Sequence, residues 1–110
     1  MIFDKKDSTT IITQEKATLV EFVKGVEDAY ESIKNDNIII NLFSIKNISF
    51  DGINEFIRVS KKYKSSNRSF VIVTDKIAYD NAPDGITIVP TLQEAHDLIE
   101  MEEIERDLGI

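Results

Sequence analysis

A chain of 110 residues, 42% hydrophobic and 30% charged, has enough apolar material for one packed core and no room for a second domain. Its formal charge of -7 argues against a nucleic acid or an anionic membrane as the main ligand, since both are bound by neutralising them with Lys and Arg. The absence of cysteine excludes disulfides, thiol nucleophiles and thiolate metal centres. No apolar run nears the ~20 residues that cross a bilayer, and MIFDKKDSTT lacks the apolar core of a secretory signal, so the cytoplasm is the expected address.

In chain order, MIFD and TTIIT flank a polar KKDS and predict two short strands joined as a hairpin or a bent edge pair. From about Glu15 to Lys34, Leu19, Phe22, Val23, Val26, Ala29, Tyr30 and Ile33 recur at intervals of three and four, the spacing of one helix face. Asn35, Asp36 and Asn37 end that helix. The run Ile38-Ile39-Ile40-Asn41-Leu42-Phe43 then has the length and β-branching of a strand covered on both faces. A second helix is expected from roughly Asp51 to Ser65, with Ile53, Phe56, Ile57 and Tyr63 on its inner side.

SSNRS breaks that helix, and Phe70-Val71-Ile72-Val73 reads as another buried strand. The turn-rich KIAYDNAPDG leads to a short strand over Ile86-Thr87-Ile88-Val89. After Pro90, Thr91-Leu92-Gln93-Glu94 forms a capping box, so a last helix runs from about Leu92 to Leu108 and Gly109 ends it. The order β-β-α-β-α-β-β-α, with apolar central strands between helices, predicts an α/β fold whose mostly parallel sheet is covered by helices.

Enzyme chemistry has little to work with here. His96 is the only histidine, beside Glu94, Asp97 and Glu100, whereas a hydrolytic zinc site needs three protein ligands and an open position; a polar residue on a helix surface is the simpler account. No serine has a G-x-S-x-G context, and neither phosphate-binding glycine loop occurs among the four glycines. No cofactor or metal is implied, and the chain is expected not to be an enzyme.

Two charge clusters remain. Arg58, Lys61, Lys62, Lys64 and Arg68 gather near the end of the second helix, where cations complement the helix dipole; the alternative is a docking patch for an acidic partner. The acidic tail IEMEEIERDLGI, over residues 101–110 in its last part, keeps Met101, Ile104 and Leu108 at helical spacing. That stripe either packs on the domain or protrudes and offers an apolar seam to another protein. At the second helix entrance, SFDG puts Ser49 or Asp51 where a cap or first-turn carboxylate stabilises the helix, and Gly52 permits close approach of whatever lies above.

The two-strand start, the helix, the buried strand, SFDG opening the second helix, the FVIV strand and the closing ITIVPTLQEAHDLI resemble a STAS domain. That family comprises bacterial anti-sigma factor antagonists and cytoplasmic domains of sulfate transporters. The resemblance covers nearly the whole chain in order and spacing. Laid over the family's D-S-S-G turn, Ser49 falls on the leading Asp, Phe50 on the first Ser, Asp51 on the Ser that is phosphorylated, and Gly52 on the Gly. The phosphoacceptor hydroxyl is therefore missing, and the family's helix after FVIV is reduced to KIAYDNAPDG.

The resemblance implies a non-catalytic, regulatory protein-binding module. Its contact surface would be Ser49, Phe50, Asp51, Gly52 and Asn54, with Arg58, Lys61, Lys62, Met101, Ile104 and Leu108 as further docking residues. The implied partner is another protein, such as an anti-sigma factor or an RNA-processing protein. The tail VPTLQEAHDLIEMEEIERDLG also resembles small STAS-like proteins of Bacteroidetes that often carry the name ribonuclease Z. One histidine cannot build the two-metal site of that nuclease, so the alternative this implies is a companion of the enzyme in transfer RNA 3′ processing. A third reading is nucleotide or small-ligand binding at the Asp51 helix entrance.

Overall fold

The isoleucine run Ile38-Ile39-Ile40, fully buried, forms the middle of the sheet, as burial on both faces requires. In a computed structural model, which describes residues 1–14, 18–46, 48, 50–77 and 81–109 with the Phe50 side chain excepted, β3 spans Asn37–Asn41. It lies between β2 (Thr9–Thr13) and β4 (Phe70–Val73), parallel to both. β1 (Ile2–Lys6) pairs antiparallel with β2 on one edge, and β5 (Ile88–Val89) runs parallel to β4 on the other. The mostly parallel α/β sheet expected from the element order is present, in the order β1-β2-β3-β4-β5.

Alternation along the strands sends side chains to two faces. Ile12, Ile38, Ile40, Phe70, Ile72 and Ile88 point to one face, under α1 (Leu19–Asp28), α2 (Tyr30–Ile33), α3 (Phe50–Asn54) and α4 (Ile57–Ser65). Ile39, Val71 and Val73 point to the other, where Ala95 and Ile99 of α5 (Leu92–Asp107) cover them. Thr18 caps α1 by accepting from the Glu21 N–H at 3.2 Å, and Thr91 caps α5 by accepting from the Glu94 N–H at 3.1 Å. Gly109 follows α5 with φ +74, the left-handed turn that ends many helices.

Element limits depart from the expected ones at four places. The first helix begins at Leu19, and Glu15 to Ala17 lie outside the described residues; a turn at Ala29 then separates α1 from α2. The second helix is two pieces: the N–H groups of Glu55 and Phe56 bond the carbonyls of Gly52 and Ile53, three residues back, and this tighter step puts Ile53 and Phe56 both fully inside. β3 stops at Asn41 because the Asn41 side-chain oxygen accepts from the Phe43 N–H at 3.1 Å and turns the chain. Leu42 is buried, but Phe43, expected inside the strand, is exposed. Of the fourth apolar run only Ile88 and Val89 pair; the Ile86 N–H bonds the Pro83 carbonyl in a turn, although its side chain is buried.

An aromatic cluster fills the space beneath α2 and α4. Tyr63 stacks on Phe70 at 5.6 Å and meets Tyr30 edge-on at 5.1 Å. Its hydroxyl is buried with no hydrogen-bond partner among the described residues, and burial pushes the phenol above its ordinary range, with smaller contributions from Tyr30 and Asp36. A buried polar atom without a partner costs ~1–3 kcal/mol. Tyr63→Phe keeps the ring and removes that atom, so the urea unfolding midpoint should rise, by an amount corresponding to about 1 kcal/mol. A clear fall in the midpoint would mean that the hydroxyl is bonded after all.

Candidate docking surface at the C-terminal edge of the sheet

The parallel strands all end on one edge, and the connections that leave it carry the predicted contact residues. After Asn41, Leu42 is held by its N–H on the Val73 carbonyl at 2.9 Å, and the Ile45 N–H closes a turn on the Leu42 carbonyl at 3.0 Å. Ile45 and Ile48 fold partly back on the core, whereas Phe43, Ser44 and Lys46 face outward. This loop delivers the chain to α3.

α3 is a single five-residue segment with an inner and an outer side. Ile53 is fully buried, and Phe56 just beyond meets Phe22 edge-on at 5.9 Å. Asp51 and Asn54 are exposed, and Gly52 is half-buried. Ser49 lies outside the described residues, as does the Phe50 side chain, so of the five predicted contact residues Asp51, Gly52 and Asn54 are brought together on one turn. The capping role expected of Ser49 likewise falls outside the description.

A pocket of about 350 Å³ that sequence reasoning missed opens beside the Phe43 loop, lined by Asn41, Phe43, Ser44, Val73, Thr91 and Leu92. Phe43 and Leu92 supply its exposed apolar rim. The only signal for it in the sequence is a large apolar residue directly after the Asn that ends a strand. Close by, Asp75 and Lys76 pair at 2.9 Å, and the Lys76 N–H bonds the Thr74 hydroxyl.

No protein-family model matches the sequence, and no curated protein does. Solved structures do. RsbS from Moorella thermoacetica, in a Ser-to-Glu variant, superposes with a TM-score of 0.68 over 90% of this chain and 93% of its own, at 14% identity. A chain from the molecular architecture of the stressosome, a signal integration and transduction hub, gives 0.64 over 90% and 96%, also at 14%. The NMR structure of the protein TM1081 gives 0.67 over 89% and 86%, at 20%. The fold is that of a STAS domain.

Within this STAS fold the remaining predicted docking residues lie on α4, on α5 or at the end of α5. Arg58 pairs with Glu27 of α1 at 2.6 Å, and Lys62 sits 4.0 Å over the Tyr30 ring, so both cations tie α4 to the first helical pair. Lys64 reaches the Gly85 carbonyl at 3.3 Å, which Ser60 also bonds at 2.8 Å; Lys61 is exposed. Much of the basic cluster is thus spent inside the fold. Met101 and Ile104 of α5, and Leu108 that caps its end, lie on the opposite face of the sheet and are exposed. Half-buried His96 lines a groove of about 260 Å³ with Lys6, Thr9, Glu100 and Glu103.

The end of α5 is anchored by polar contacts that sequence reasoning missed. Asn37, buried at the start of β3, accepts from the Ser69 N–H at 2.9 Å and from Arg106 at 3.3 Å, and donates to Glu103 at 2.8 Å. The Ser69 hydroxyl donates to Glu102 and accepts from Arg106 at 3.2 Å. In sequence, Asn37 signalled nothing beyond the end of a helix.

Proposed function

We propose that the chain is a regulatory module of the STAS type that acts in the cytoplasm by docking another protein through the loop after β3 and the outer turn of α3, and catalyses no reaction. The observation that carries this reading is the two-sidedness of α3. Ile53 roots it in the core while Asp51 and Asn54 stand exposed, giving a fixed surface rather than a cleft. The similarity of the fold to RsbS and to a chain of the stressosome, a signal integration and transduction hub, supports a role in protein assemblies. No helix among the described residues is long and apolar enough to cross a membrane.

Asp51 in this reading supplies a permanent negative charge where the family places a phosphorylatable serine. A carboxylate carries about one charge against the ~1.5–2 of a phosphate and has fewer acceptor oxygens, so docking is constitutive and is not switched by a kinase. The test is affinity capture of the tagged chain from extracts of its own cells, with Asp51→Arg and Asp51→Ser run beside it. Exposed substitutions of this kind change stability by no more than ~0.5 kcal/mol, so loss of capture reports the surface. Asp51→Arg should abolish retention of the specific partner and Asp51→Ser should weaken it. Equal capture by all three proteins would remove Asp51 from the interface.

A further inference from the structure

α5 carries apolar residues on two opposite sides. At ~3.6 residues per turn, Ala95 and Ile99 fall on the side that covers the sheet, and Met101, Ile104 and Leu108 fall on the side facing away from it. These three are 54%, 54% and 68% exposed, so the packed alternative of the sequence reading does not hold. A scattered exposed apolar residue needs no explanation. Three in line, at intervals of three and four, form the a-d-a seam of a coiled coil.

Flanking charge sets what can occupy such a seam. With Met101 at a and Ile104 at d, Glu100 and Asp107 fall at g and Glu105 at e, and among the described residues none of these carboxylates has a cation partner. Arg106, the one basic residue in this part of the helix apart from His96, is turned inward to Ser69 and Asn37. Two copies of α5 laid together would therefore set acid against acid on both flanks, which opposes self-pairing. Lysine or arginine at the flanking positions of a partner would pair with every one of them.

We propose that the outward side of α5 is a second docking surface, on the opposite face of the sheet from α3, and that its occupant is a basic amphipathic helix of another protein. Apolar side chains of that helix at intervals of three and four bury against Met101, Ile104 and Leu108, and its flanking cations meet Glu100, Glu105 and Asp107. The polar anchor on Asn37 and Ser69 holds the last turns of α5 in place to receive it. The seam spans little more than one heptad, so the affinity is modest and falls as salt screens the flanking charges.

The experiment titrates the whole chain into a labelled synthetic helix with leucines along one face and lysines flanking them, and follows amide shifts. A scrambled peptide of the same composition and an analogue with glutamates for the lysines are the controls. Binding should perturb residues 97–108, and Met101→Gln/Ile104→Gln/Leu108→Gln should weaken it about tenfold or more while leaving the circular dichroism spectrum unchanged. Glu100→Lys/Glu105→Lys should lose the basic peptide and gain the acidic analogue. The proposal is overturned if the scrambled peptide binds equally, if the triple variant binds as well as the parent, or if the shifts fall elsewhere. It is overturned equally if the parent sediments as a dimer that the triple variant converts to a monomer, which would give the seam to a second copy. Retention on phosphatidylcholine vesicles that the triple variant loses would give it to lipid.

Discussion

Phe56→Ala should cost about 3–5 kcal/mol of stability. Phe56 is fully buried, sits edge-on to Phe22 at 5.9 Å and lies 6.4 Å from Phe70, so truncation removes transfer energy and leaves a cavity between α1, α4 and β4. Against the ~5–15 kcal/mol that holds a domain of this size together, such a loss is a large fraction. With no tryptophan in the chain, unfolding is best followed by far-ultraviolet circular dichroism, and the melting temperature should fall by roughly 12–20 °C. Phe56→Leu, which refills most of the volume, should cost less than half as much.

The same substitution tests how the proposed docking turn is held. Ile53 and Phe56 anchor the segment that exposes Asp51 and Asn54. Their loss should release the outer turn of α3 before the sheet gives way. Amide exchange at residues 51–54 should accelerate in Phe56→Ala by more than global destabilisation explains. A loss of less than about 1 kcal/mol, or exchange that changes uniformly along the chain, would show that this aromatic contact does not fix the surface.

What could be read in advance follows from how locally each feature is encoded. Strands β3 and β4 were legible because burial on both faces leaves an unbroken run of β-branched and aromatic residues, and α5 because Thr91 and Glu94 write its start into four positions. The interruption at Glu55 was not legible: Ile53 and Phe56 suit a continuous helix equally well, and only the tertiary demand that both be buried tightens the turn. Phe43 misled because a strand and the residue after it look alike until the Asn41 side chain bends the chain. At the candidate site, Asp51, Gly52 and Asn54 were named through family spacing, whereas the Phe43–Leu92 pocket joins the loop after β3 to the start of α5, nearly fifty positions on, and has no local signature.

Asn37→Ala should destabilise the protein by about 2–3 kcal/mol, more than a single neutral hydrogen bond is worth. The reason lies in what is stranded. The buried Ser69 N–H loses its acceptor, and Glu103 and Arg106 each lose a partner at the end of α5. The β-ladder itself survives, because the Asn37 N–H still bonds the Ser8 carbonyl and the Ile38 N–H the Ser69 carbonyl. Damage should therefore concentrate in the last two turns of α5, where the amides of residues 102–108 should lose hydrogen-exchange protection first. A double-mutant cycle with Glu103→Ala isolates one contact and should give a coupling of about 0.5–1.5 kcal/mol. Zero coupling, with exchange at the end of α5 unchanged, would mean that the Ser69 contacts to Glu102 and Arg106 and the burial of Ala95 and Ile99 hold the helix without Asn37. The outward seam would then keep its rigid base, and the anchor beneath a docked basic helix would rest on Ser69 and not on Asn37.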